Sequence, residues 1–167
     1  MKTSLTLLAL MMTLSAPIQA SEVKNVVVEY DKPEKFTDIK YFNGSKKKFH
    51  KRLFKNWNEF LTKEAGKILP ENYSLKIKFT DIDLAGTYML GGVDNNRIVR
   101  EIDYPRLKIS YQLMNGDQLV KQAEVTLKDL NFLRHNVTMR RSSGNFYHEK
   151  KLMKDWIKKE LKPLVES

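Results

Sequence analysis

Tyr73-Ser74-Leu75-Lys76-Ile77-Lys78-Phe79-Thr80 is the stretch on which the fold turns. Tyr73, Leu75, Ile77 and Phe79 alternate with Ser74, Lys76, Lys78 and Thr80, the period-two pattern of a strand with one face on a core. Immediately before it, residues 46–69 follow the period of a helix. Phe49, Leu53, Trp57, Phe60, Leu61 and Ile68 fall on one side at about 100° per residue. Pro70 closes that helix, and Ser45 stands where an N-cap is expected. A half-apolar strand and a half-apolar helix in succession call for a layered α+β domain. At Asp81-Ile82-Asp83-Leu84 the alternation slips by one residue, which predicts a bulge near Thr80–Asp81.

Val26-Val27-Val28-Glu29-Tyr30 reads as an earlier strand, ended by Lys32-Pro33. Phe36 to Phe42 is either a short extended piece or a turn. Asn43-Gly44 is a break, and residues 85–102, with Gly86, Gly91-Gly92 and Asp94-Asn95-Asn96, read as a long excursion containing turns. Leu107, Ile109, Tyr111 and Leu113 alternate again. Asn115-Gly116 signals a hairpin to a partner strand with Ala123, Val125 and Leu127 inward. A last helix is expected from about Tyr147 to Leu161, with Leu152, Met153, Trp156, Ile157 and Leu164 on one side and Pro163 limiting its end. The order is β-α-β-β-β-α, and the expected fold is an antiparallel sheet covered on one face by two amphipathic helices.

Lys2 followed by the apolar run Leu5–Leu14, and then Ile18-Gln19-Ala20, reads as a secretory signal over residues 1–20. The rest, residues 21–167, is one domain's length. Cleavage near Ala20 and a periplasmic or secreted location are the expectations. The chain has no cysteine, so burial rather than disulfides must hold an exported fold together, and thiol catalysis and thiolate metal sites are excluded. The formal net charge is +10, which favours anionic partners such as anionic lipid or lipopolysaccharide.

Four groups of residues carry chemical potential. Asp81, Asp83, Asp94, Glu101, Asp103 and Asp129 are oxygen donors, yet they lack the spacing of a calcium loop. Pairing of Asp81, Asp83 and Asp103 with Arg97, Arg100, Arg106 or Arg134 fits them better than a metal or catalytic role. Lys47, Lys48, Lys51, Arg52 and Lys55 point away from the apolar face of the first helix, and Lys150, Lys151, Lys154 and Lys158 do the same on the last. Lys46 to Lys48 sit where the helix dipole disfavours cations, and a bound anion would offset that cost. An ordinary solvated surface is the plainer account of the same lysines. His50 and Glu64 share the buried side of the first helix; reaching an edge or pairing with a strand lysine is the expectation for them. Arg134, Arg140 and Arg141, with Ser142-Ser143-Gly144, form a polar loop suited to phosphate or carboxylate.

Asp81-Ile82-Asp83-Leu84-Ala85-Gly86, the run Ile98 to Leu107 with Arg100, Asp103, Pro105 and Arg106, the segment Leu127 to Asn131 with Asp129, and Tyr147-His148-Glu149-Lys150 through Trp156 together resemble an exported bacterial family known as domain of unknown function 3016. Val28-Glu29-Tyr30 to Phe36-Thr37-Asp38 fits as well. The resemblance covers nearly all of the chain after the signal and implies no activity. In element order the chain is also similar to small accessory subunits of envelope lipid-transport and outer-membrane assembly systems, without their lipidated cysteine; that is likeness of fold alone.

No nucleophile setting, zinc-ligand spacing or phosphate-binding glycine loop is present in the sequence, and no cofactor is expected. The favoured function is a non-enzymatic periplasmic binding or accessory module for an anionic envelope component or an envelope protein. A metal-dependent hydrolase using the aspartates and the Arg134–Arg141 loop is the alternative, and strand addition at Val26–Tyr30 a third. Aromatics do not interleave with the lysines, which argues against nucleic acid.

Overall fold

The computed structural model describes residues 25–40, 45–88, 97–134 and 145–166. The signal over 1–20 with its cleavage position, the break at Asn43-Gly44, the turns at Gly91-Gly92 and Asp94–Asn96, and Arg140, Arg141 and Ser142–Gly144 lie outside the described residues.

The chain is α+β. Strand β1 (Val26–Tyr30) is followed by helix α1 (Lys46–Gly66) and strand β2 (Tyr73–Asp83). A two-stranded ribbon of β3 (Thr87–Tyr88) and β4 (Arg97–Ile98) comes next. Strands β5 (Arg106–Asn115) and β6 (Gln118–Lys128) form a hairpin, and helix α2 (Tyr147–Trp156) runs through a π-helical turn, Ile157–Leu161, into α3 (Lys162–Glu166). The main sheet has the order β1-β2-β5-β6, so β1 and β6 are its edges.

One expectation is corrected here: the sheet is mixed, because β1 pairs with β2 in parallel. A long helix packed on the sheet carries the chain back to the end from which it started. The next strand therefore runs the same way as the one before the helix. The remaining pairs, β2–β5 and β5–β6, are antiparallel as expected. The register shift between Phe79 and Asp81 is the expected bulge. It turns Ile82 inward after Leu75, Ile77 and Phe79, and leaves Asp81 and Asp83 half-buried. The hairpin turn is Gly116-Asp117, with positive φ at Gly116 and Asn115 still paired to Gln118. Glycine first in a two-residue turn suits the strand twist.

Both helices cover one face. Phe49, Leu53, Trp57, Leu61 and Ala65 of α1 are buried with Leu75, Ile77 and Phe79 of β2 and Leu107, Ile109, Tyr111 and Leu113 of β5. Trp57 lies 5.3 Å from Phe79, and Trp156 meets Tyr111 edge-on at 5.2 Å. Lys150 lies over the Phe60 ring at 5.7 Å, and Lys154 reaches Glu64 at 3.5 Å. Successive turns of α2 thus meet successive turns of α1 in the same order, so the two helices run parallel. The far face of the sheet carries Lys76, Lys78, Ser110, Gln112, Gln122 and Glu124, around an open hollow.

The last helix is longer than expected. Pro163 was expected to end it, yet helix continues to Glu166. A proline ring clashes with the carbonyl four residues back, and the wider π turn just before it loosens that packing.

Candidate functional site

The parallel helices place the first turns of α1 and α2 at one end of the molecule, with Phe146 against both Phe49 and Trp57 at 6.1 and 6.2 Å. The end of β2 lies there too, and four distant parts of the chain fasten onto Leu84-Ala85-Gly86. Asp38 donates its N–H to Ile82 (2.9 Å) and accepts from Leu84 N–H (3.1 Å). Arg97 donates Nε to the Ala85 carbonyl (2.7 Å), and its Nη2 reaches the Leu84 carbonyl (2.8 Å) and Asp38 Oδ2 (2.6 Å). Glu149, in the first turn of α2, accepts the Ala85 N–H at 2.7 Å. Gly86 donates to the Asp103 carbonyl at 2.8 Å.

Glu149 is 3% exposed, and burial pushes its carboxyl above the usual glutamate range against the opposing pull of the Ala85 N–H, its own N–H and the Arg97 charge. Asp83 is raised by burial as well, with the Arg106 charge working the other way. Beside these groups a cavity of about 300 Å³ opens between the helix starts, with Arg52 and Arg97 among its walls.

The aspartates do not share one centre. Asp83 binds Arg106 at 3.1 Å, and Asp103 makes a two-pronged pair with Arg100 at 2.6 and 3.2 Å. Asp81 accepts both the N–H and the hydroxyl of Thr37, at 2.8 and 2.9 Å, with Lys108 at 4.0 Å. Asp129 accepts the Asn131 N–H at 2.9 Å and so forms the turn after β6. Pro105 is buried just before β5, and Trp156 is buried against Tyr111. Among the described residues no cluster of three or more acidic or histidine side chains is arranged to hold a metal.

The cationic candidates sit apart from that hub. Lys47, Lys48, Lys51, Arg52 and Lys55 are all exposed on α1. Ser45 caps this helix by accepting the Lys48 N–H at 3.4 Å, and the first turn holds no acid. Lys55 pairs with Glu59 at 3.8 Å; among the described residues no ion pair engages Lys47, Lys48 or Lys51. On α2, Lys151 pairs with Asp155 at 2.5 Å, while Lys154 turns to Glu64. Glu64 is thus met by Lys67 and by a helix lysine, where a strand lysine was expected. Burial pulls its carboxyl upward, but the two lysines together hold it below the ordinary value. His50 reaches the Ile39 carbonyl at 3.3 Å, and burial, helped by Lys46 and opposed by that contact, lowers its pKa. Arg134 is exposed in the single 3-10 turn after β6.

Residues 24–159 match the model of a family described as protein of unknown function (DUF3016). The chain belongs to the DUF3016 family. No curated protein and no solved structure matches it. Among the described residues of this DUF3016 chain no helix is long and apolar enough to cross a membrane.

The sequence offered Arg97 only as one possible partner of Asp81, Asp83 or Asp103, and it held Asp38 and Glu149 within the family-like stretches without a role for either. In the DUF3016 fold these three hold β2, β4 and α2 together. Their local sequence does not show which groups they will meet, since Tyr147-His148-Glu149 reads only as the start of a helix.

Proposed function

We propose that the protein is an exported binding module, not an enzyme, that holds an anionic component of the bacterial envelope against the solvent face of α1. The observation that carries this reading is the charge of that helix. Seven lysines and arginines stand against two glutamates along it, and three lysines without a described ion pair crowd its first two turns. Cations there work against the helix dipole, and a bound anion reverses that cost.

The test is co-sedimentation with phosphatidylglycerol vesicles, with phosphatidylcholine vesicles as control. Association is expected with the anionic vesicles only, falling as salt rises past about 0.1 M, where the screening length is about 10 Å. At about 1 kcal/mol per lysine near a charged surface, Lys47→Gln/Lys48→Gln/Lys51→Gln should weaken partitioning about a hundredfold. Binding that ignores salt, or no preference for anionic lipid, overturns the reading.

A further inference from the structure

The two edges of the main sheet differ in character. β1 is five residues long and pairs in parallel, whereas β6 runs eleven residues from Gln118 to Lys128. An edge strand presents a row of unpaired N–H and C=O groups, and proteins guard such edges with short strands, bulges or inward charges. The first part of β6 is guarded in that way. A register shift stands at Leu113 and Met114, and Lys121, opposite Leu113, is an exposed charge on the core side of the sheet. From Gln122 to Lys128 there is neither guard. Ala123, Val125 and Leu127 lie on the core side opposite Tyr111, Ile109 and Leu107, and each is only partly buried. Among the described residues no backbone bond runs outward from this stretch. α2 lies beside β6 without closing over it. A groove of about 680 Å³ opens between them, with Val125, Leu127, Leu152 and Trp156 as its apolar wall. The charges around it are balanced: Lys128, Lys151 and Lys159 against Asp129, Asp155 and Glu160. In a chain of net charge +10, an edge balanced in sign is where a second copy meets least repulsion.

We propose that β6 is the seam of a homodimer, in which the Gln122–Lys128 edges of two copies pair antiparallel about a two-fold axis at Val125 and the grooves beside the two α2 helices join. An axis normal to the sheet keeps both helix layers on one side, and residues directly opposite each other then share a face. That condition leaves few registers. An axis at Glu124 sets two carboxylates against each other, which is unfavourable. An axis at Ala123 lays Lys121 on the partner's Val125, and one at Thr126 shortens the pairing to Glu124–Lys128. The axis at Val125 sets Val125 against the partner's Val125, Ala123 against the partner's Leu127 and Glu124 against the partner's Thr126. It also brings Lys121 opposite the partner's Asp129. The apolar row of the core side thus continues across the seam, and the inward lysine meets a charge of opposite sign.

Sedimentation of the full chain, whose monomer is 19.6 kDa, reads the assembly directly, and a species of twice that mass is expected as concentration rises. Cysteine substitution then reads the register. The chain has no cysteine, so Val125→Cys introduces a single thiol. The axis sets that thiol against its own copy at about 4.5–5.5 Å between Cα atoms, within disulfide reach. Thr126→Cys lies about 8 Å from its own copy in the same register, beyond that reach. Mild oxidation should crosslink Val125→Cys roughly tenfold faster than Thr126→Cys. Val125→Lys, which places like charges at the axis, should raise the dimer dissociation constant roughly tenfold or more, with circular dichroism confirming that it folds. Amide hydrogen exchange along Gln122–Lys128 should slow with rising concentration in the wild type and not in Val125→Lys. A chain that stays monomeric up to about 1 mM overturns the proposal. So does crosslinking of Thr126→Cys that equals or outpaces that of Val125→Cys, or a dimer untouched by Val125→Lys. Exchange already slow along that stretch in the monomer means that another strand covers the edge, and it overturns the proposal as well.

Discussion

Gly86 is the position at which the hub tolerates least change. Its φ is +81°, and a Cβ built on it would lie 2.6 Å from the Ile98 carbonyl oxygen and 3.0 Å from a Val99 methyl. The first neighbour is backbone and cannot turn aside. Gly86→Ala should therefore cost about 2–3 kcal/mol, from left-handed strain and from a separation of β3 and β4. A urea midpoint equal to that of the wild type would show that the ribbon gives way freely. Glu149 offers a different test. Its folded pKa lies above its unfolded value, so its contribution to stability is complete below the unfolded pKa and is lost as pH rises through the folded one. Glu149→Gln has no such loss. Relative to that variant the wild type should become progressively less stable as pH rises above the ordinary glutamate value of about 4, read from urea midpoints across the range. A constant difference between the two would mean that the buried carboxyl does not titrate there. His50 and Glu64 illustrate what was legible at this scale: both were recognised as polar groups on a buried helix side. Of their partners, Lys67 is the C-cap residue of α1 itself, whereas Ile39 and Lys154 come from segments outside that helix.

At the scale of elements, periodicity carried most of the information. β1 begins and ends where its apolar run does, α1 buries Phe49, Leu53, Trp57 and Leu61, and the slipped phase after Thr80 is a bulge. Phe60 and Ile68, expected on the same buried side, are only partly covered, because they lie toward the margins of the stripe. The Ser45 cap is local chemistry, so its loss should be local in cause. Ser45→Ala removes the bond to the Lys48 N–H and should lower stability by about 1 kcal/mol, measured by urea denaturation. No change would place the start of the helix under tertiary control. Two features escaped the periodic reading. The π turn before Pro163 depends on which way the helix must lean to keep Ile157 and Leu161 on the core, and both are buried. The direction of β1 depends on the path of α1 over the sheet, and a strand's own residues carry no sign of whether its neighbour is parallel.

At the scale of the molecule, α1 exposes Lys47, Lys48, Lys51, Arg52 and Lys55, the α2 lysines Lys151 and Lys154 turn to Asp155 and Glu64, and the far face of the sheet mixes Lys76 and Lys78 with Glu29 and Glu124. If charge position rather than net charge governs association, Lys76→Gln/Lys78→Gln should leave vesicle binding nearly intact where the α1 triple variant does not. Equal losses from both would mean that only total charge matters. The interior answers to pattern alone. Alternating and helical spacings decide which side chains leave water, because apolar burial is non-directional and needs only the right face of each element. A chain without cysteine must depend on that burial. Which element ends come together is another matter. Asp38, Arg97, Asp103 and Glu149 reach Leu84-Ala85-Gly86 from up to sixty-four residues away, through hydrogen bonds that demand direction as well as proximity. Such bonds exist only once α1 and α2 lie parallel on the sheet, so the cavity and its two arginines belong to the folded arrangement and to no segment of the chain.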